Sequence, residues 1–317
     1  MERTFRIDLI SDTSTRPTPA MRRAMAEAEV GDEQRGEDPS VNRLCDRAAA
    51  LMGQEAALFL PSGTMCNQIA IATHCRPGDE IITAEASHII GSEVAGAAVF
   101  AGSVIREISC RGGIFSGDDV SAAVRARNPK SPCSRLVEVE QTNNRGGGSV
   151  WPLEAILSVT EAARAHDLAL HMDGARLMNA AVASGVAARD FAAPFDSVWL
   201  DLSKGLGCPF GGVLAGSVEF DGAREHAAKG ASEPFREIEP DTVERGCEIP
   251  RRDARGDGRI HQSGAVHVQG QVMGSGGLGY GEDGFKGPNG AAAPVVRLLD
   301  FYEARTGRLG VARPHRR

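Results

Sequence analysis

Leu200-Asp201-Leu202-Ser203-Lys204-Gly205-Leu206-Gly207-Cys208-Pro209 sets one lysine just past a short apolar run and directly ahead of a glycine-rich turn. A lysine at the end of a buried strand, with backbone free to come close, suits carbonyl chemistry. Burial disfavours the ammonium form and presents a neutral amine to an aldehyde. A second stretch answers it: Leu168-Ala169-Leu170-His171-Met172-Asp173-Gly174-Ala175-Arg176 puts a carboxylate at another strand end, 31 residues before the lysine. A carboxylate so placed is the partner that a pyridinium nitrogen needs.

The pair implies pyridoxal phosphate, and the surrounding pattern supplies a frame for it. Apolar runs at 57–60, 80–83, 104–108, 136–140, 168–172, 197–201 and 212–215 read as strands. Helical spacing falls between them. Met21, Met25 and Ala28 mark a helix over 19–29; Ser40 can cap one through Val41, Leu44, Ala48 and Leu51; Met65, Ile69 and Ala72 continue from Ser62-Gly63-Thr64; a fourth spans 153–166. Strands alternating with helices predict an α/β fold, a mostly parallel sheet covered by helices. Ligands of such sheets bind beyond the carboxyl ends of the strands, where Gly63, Asp173 and Lys204 all fall.

The chain has 317 residues and a net charge of -7, which argues against a general nucleic-acid binder. Its first eight residues lack an apolar signal core, and no run is long enough for a bilayer. The seven cysteines form no metal-ligand spacing, so no metal is expected and they read as small apolar residues of a reducing compartment. The expectation is a cytoplasmic protein. Regularity stops near Phe220, and about half of the 38 glycines lie in the last third. Three parts are predicted: an N-terminal segment 1–18, a large cofactor-binding domain 19–220, and an atypical Gly/Arg-rich region 221–317 in which only 294–302 has helical spacing.

Each candidate residue also has an ordinary reading. Ser62-Gly63-Thr64, at a strand-to-helix junction, can hold a phosphate dianion on first-turn amides and the Thr64 hydroxyl, or merely cap the helix. Asp173 before Gly174 suits a turn as well as a ring nitrogen. Arg176 offers a rigid fork for a carboxylate or ring oxygen. His171 shares a face with Asp173 and can serve the same site or be a satisfied core histidine. His88 can stack on a ring, act as a base, or start a helix. Gly146-Gly147-Gly148 lacks the strand and helix of a phosphate loop and reads as a flexible connector.

Taken in order along residues 7 to about 220, these segments resemble the threonine aldolase family, within the fold-type I pyridoxal-phosphate enzymes. The resemblance rests on Asp8-Leu9-Ile10-Ser11-Asp12-Thr13, Thr15-Arg16-Pro17-Thr18, Gly31-Asp32-Glu33 and Gly36 through Asn42. It continues through Pro61 to Asn67, Ser87-His88-Ile89 with Glu93, the glycine run with Val150-Trp151-Pro152-Leu153, His171 through Asn179, and Ser203 through Gly207. It implies Lys204 as the Schiff-base lysine, Asp173 on the pyridine nitrogen and His88 over the ring. Gly63 and Thr64 would take the phosphate, while Ser11 and Arg176 would take the substrate carboxylate or ring oxygen. It also implies cleavage of threonine or allo-threonine to glycine and an aldehyde, in a homotetramer with sites between subunits.

Departures qualify the likeness. Arg35 stands where the family often has tyrosine, and Asn143 where many members have a histidine that can serve as base. After Glu219-Phe220 the family's small domain, with its phosphate contact and carboxylate-binding arginine, is not recognisable. A frameshift near codon 220, or divergence of the tail, is the expectation there. The alternative reading is therefore an impaired relative that keeps only cofactor-binding or scaffold function. An aminotransferase or racemase of the same fold type is a third.

Overall fold

A computed structural model of the chain describes residues 9–126 and 128–217. Seven strands form one sheet: β1 (Ala56–Leu60), β2 (Asp79–Ala84), β3 (Val104–Ile108), β4 (Cys133–Glu140), β5 (Ala169–Gly174), β6 (Ser197–Asp201) and β7 (Gly212–Gly216). Their spatial order is β1-β7-β6-β5-β4-β2-β3. Six strands run in one direction and β7 runs opposite to them. All seven expected strands are present, with ends shifted by a few residues. Burial on both faces leaves β6 and β7 almost wholly apolar; β2, β4 and β5 are largely buried yet carry polar residues, and the edge strands β1, all apolar, and β3 are partly exposed.

The helices are α1 (Pro19–Ala26), α2 (Pro39–Met52), α3 (Gly63–His74), α4 (His88–Gly91), α5 (Gly96–Ala101), α6 (Gly117–Ala123), α7 (Leu153–Ala165), α8 (Leu177–Ser184) and α9 (Ala188–Ala192). The expected cap of α2 is corrected. Asp38, not Ser40, accepts the amides of Ser40 and Val41, each at 2.9 Å, while the Ser40 hydroxyl donates to the Glu29 carbonyl. Pro39 explains the shift: proline favours the first helical position, so the residue before it becomes the cap. The first helix also ends at Ala26 rather than running to 29.

One face of the sheet packs Val137, Val139, Leu170 and Met172 against the large core of α2, α6, α7, α8 and α9. The other face lies under α3, where the core divides. Cys66, Ile69 and Ala70 join Trp199 and Leu214 on one side, and Ile71 and Cys75 join Ile81 and Leu136 on the other. Between them runs a polar seam. Parallel register puts Glu138 beside His171 and Glu140 beside Asp173, so four ionisable side chains line one strip.

The glycine run is not a loose connector. Asn143 pairs with Ser149, the Gly146 amide donates to Asn143 Oδ1 at 2.7 Å, and Gly147 and Gly148 take the positive φ values that close the turn. The six described cysteines form no disulfide with one another. Among the described residues no helix is long and apolar enough to cross a membrane. The expectations for 221–317, the frameshift included, lie outside the described residues.

Candidate active site

Strand β6 ends at Asp201, and the chain turns through Ser203 and Lys204. Lys204 Nζ lies 2.5 Å from Asp201 Oδ2 and 5.4 Å from the centre of the Trp199 ring. The other Asp201 oxygen accepts from the Ser203 amide at 2.6 Å and hydroxyl at 2.8 Å. The lysine side chain is largely buried, as expected, and its amine is paired with Asp201 rather than standing alone. Thr15, from the N-terminal segment, clamps the turn by donating to the carbonyls of Lys204 at 2.7 Å and Ser203 at 3.2 Å.

Asp173, one residue before the end of β5, is fully buried, and the turn reading offered for it holds. Oδ1 accepts from the Ala175 amide at 3.0 Å, which forms the turn, while Oδ2 accepts from Asn67 Nδ2 at 2.9 Å. Asn67 Nδ2 also donates to Glu93 Oε1 at 2.8 Å, the same oxygen that meets His88 Nδ1 at 2.8 Å. Gln68 holds the second Glu93 oxygen at 2.5 Å. The ligand atoms of His88, Glu93 and Asp173 lie within 4.8 Å of one another. The Glu93 bond raises the His88 pKa above the ordinary histidine value, and burial raises that of Asp173.

His171 is a core histidine. Its Nδ1 meets Ser197 Oγ at 2.8 Å and its Nε2 meets Asn67 Oδ1 at 3.0 Å. Burial drives its pKa down to about 3. Since the Asn67 nitrogen faces two carboxylates, its oxygen must face His171, so Nε2 carries the proton. His171 thus reaches Asp173 only through Asn67.

At the start of α3 the ordinary reading of Ser62 holds: its hydroxyl caps the Met65 amide at 3.2 Å. Gly63 is there for space, because a Cβ would stand 2.1 Å from the Trp199 ring. Thr64 is exposed on the first turn, where helix amides and dipole favour an anion. Arg176 is engaged by Asp12, with Nε to Oδ2 at 2.5 Å and Nη2 to Oδ1 at 3.0 Å. Ser11, next to Asp12, is exposed and caps a short turn by accepting from the Thr13 amide. Glu140 accepts from the amides of His88 at 3.1 Å and Asn144 at 3.0 Å; burial and the charge of Asp173 raise its pKa.

Sequence reading gives Asn67, Asp12 and Glu93 only as parts of motifs, and Asp201 and Glu140 only as parts of strands, with no role for any of them. One signal was available. Asn67 and Gln68 are consecutive polar residues on the buried face of α3, where its apolar spacing lapses.

The donor set fits a pyridoxal ring. Asp173 is a buried carboxylate held by two uncharged donors and pressed by Glu93, and a protonated pyridine nitrogen would be a suitable cationic partner for it. The description of the beta-eliminating lyase family matches residues 8–263. The chain belongs to the beta-eliminating lyase family. Within it, the low specificity L-threonine aldolase of Escherichia coli is 41% identical over 215 residues, 68% of this chain and 64% of that protein. The low-specificity L-threonine aldolase 1 of Arabidopsis thaliana is 42% identical over 220 residues, 68% of this chain and 61% of that protein. The chain thus spans less than two thirds of the length of either relative. The solved structure of Leishmania major threonine aldolase shares the fold, with a TM-score of 0.60 at 23% identity over 69% of this chain and 65% of that one.

Proposed function

We infer that the protein is a pyridoxal-phosphate lyase of the threonine aldolase type, cleaving β-hydroxy-α-amino acids to glycine and an aldehyde. One observation carries this reading. Lys204 and Asp173 lie at the carboxyl ends of the adjacent strands β6 and β5, and Trp199, which pairs with Asp173 across the sheet, sits beneath the lysine.

Lys204 would anchor the cofactor's aldehyde carbon and Asp173 would hold the proton on its ring nitrogen. His88, fixed by Glu93, would cover one ring face, and Gly63 and Thr64 would receive the phosphate. Arg176 and Ser11 would bind the substrate carboxylate or ring oxygen, with Arg176 sharing its fork with Asp12. When bound, the cofactor supplies an electron sink that makes the Cα–Cβ bond breakable. The residues around it orient that bond and exclude water. Asn143 cannot take the substrate hydroxyl proton, since an amide has no basic lone pair at neutral pH. The homotetramer, the cytoplasmic location and the division into 19–220 and 221–317 belong to the same proposal.

Purified full chain supplied with pyridoxal phosphate should be yellow, lose its visible band in Lys204→Ala, and release acetaldehyde from L-allo-threonine. Colour without acetaldehyde would leave only the impaired relative; turnover that needs a keto acid would indicate a transaminase. A colourless protein that retains no cofactor would end the reading. Sedimentation and cell fractionation test the tetramer and the compartment.

A further inference from the structure

The proposed mechanism leaves one buried carboxylate at the reacting nitrogen without a task. Asp201 is 5% exposed and Lys204 17% exposed, and only 2.5 Å separates Oδ2 from Nζ. Ser203 fixes the carboxylate through Oδ1, with its amide and its hydroxyl, so Oδ2 is turned to the lysine. The strand end and the Thr15 clamp hold the turn that carries both residues. An ion pair so tethered presents a chemical difficulty. An ammonium has no lone pair, so it cannot attack a carbonyl carbon until it sheds a proton.

We propose that Asp201 is a catalytic proton carrier for Lys204, taking protons from Nζ as the amine joins an aldehyde and delivering them to the departing oxygen. This rests on the reading of Lys204 as the aldehyde-binding residue. The protons balance. Nζ begins with three, passes one to Oδ2, and bonds through its freed lone pair to the carbonyl carbon. Asp201 hands that proton to the carbonyl oxygen. A second proton follows the same route, and the oxygen leaves as water. The carbon–nitrogen double bond keeps the third proton and the positive charge, while Asp201 ends as the carboxylate it began as. No electron is gained or lost. In reverse, the same carboxylate accepts protons from the attacking water and returns them to the released amine. General acid–base groups so placed typically contribute about 10²–10⁴ in rate. A carboxylate that served only as a counter-ion would give the attack no help, so its loss alone would not slow the reaction of Lys204.

That difference makes the test decisive. Full-length protein freed of bound aldehyde is mixed with pyridoxal phosphate and sodium cyanoborohydride at pH 7, and modification at Lys204 is followed over time by peptide mass spectrometry. Asp201→Asn, checked for native unfolding temperature and circular dichroism, should be modified at least about tenfold more slowly than wild type. Equal or faster modification would leave Asp201 a passive counter-ion and overturn the proposal. Absence of wild-type modification at Lys204 would instead remove the Schiff-base reading, and this inference with it. Should Asp201→Asn not fold, Ser203→Ala keeps the carboxylate and removes one tether. Slower modification of that variant supports the proposal; an unchanged or faster rate overturns it.

Discussion

His88 Nδ1 and Glu93 Oε1 lie 2.8 Å apart, and that Glu93 oxygen also receives Asn67, which in turn holds Asp173. The residue proposed to cover the ring face and the residue proposed to grip the ring edge are therefore joined through one buried carboxylate. Glu93→Gln keeps the shape and removes the charge. The His88 imidazole, titrated by NMR in cofactor-free protein, should then ionise at lower pH than in wild type. The sign follows from the raised pKa: the pairing stabilises the fold below the unfolded histidine value and loses its effect as pH rises through the folded one. The stability deficit of Glu93→Gln should accordingly be larger at pH 6 than at pH 9. A deficit that grows with pH would show that the pair does not stabilise the charged ring.

His171 and His74 respond in the opposite sense. Burial pushes their pKa values down to about 3 and about 4, so the unfolded chain binds protons that the folded chain refuses. Stability should fall as pH drops below about 6.5, by up to about 1.4 kcal/mol per pH unit for each histidine. In urea unfolding between pH 7 and 5, His171→Gln should flatten that slope. An unaltered slope would assign the acid sensitivity elsewhere.

His171→Leu tests the seam differently. It leaves Asn67 Oδ1 without its ring partner in a dry interior, while Ser197 Oγ keeps His74 Nε2 at 2.8 Å; the change should cost about 1–3 kcal/mol. A loss under about 1 kcal/mol in chemical unfolding would mean that water or rearrangement replaces the imidazole.

Gly63→Ala drives a methyl into the rigid Trp199 ring, so α3 must shift. About 1–3 kcal/mol of stability should be lost, together with affinity for pyridoxal phosphate, since the first-turn amides move with the helix. Unchanged melting temperature and cofactor affinity would show that the ring yields freely.

Arg176→Lys replaces a fork by a point charge and cannot hold Asp12 through two parallel bonds. KM for the amino acid should rise about tenfold with kcat little changed, equivalent to about 1.4 kcal/mol of binding. An equal fall in kcat and kcat/KM would point to a role confined to the transition state.

The strands were legible because burial leaves β6 and β7 almost wholly apolar and gives each of the others an apolar stretch, and Lys204 and Asp173 stood out as charges at the ends of two of them. The cap of α2 was misread where Pro39 moved it, and the glycine run hid a closed turn made by Asn143. The partners of the site had no comparable signal. Asn67 lies 106 residues from Asp173 and Asp12 lies 164 from Arg176, separations at which spacing carries no information. Asp201 was within the quoted stretch, yet a strand residue's facing depends on the turn that follows it.

By itself, then, the order of residues determined the α/β class, the strand positions and the side chains suited to a pyridine aldehyde, because periodicity and end-of-strand placement are local properties. Folding decided which carboxylate holds which cation. That choice depends on register between strands and on a helix laid across them, and the free energy of a buried charge depends on neighbours brought from far along the chain.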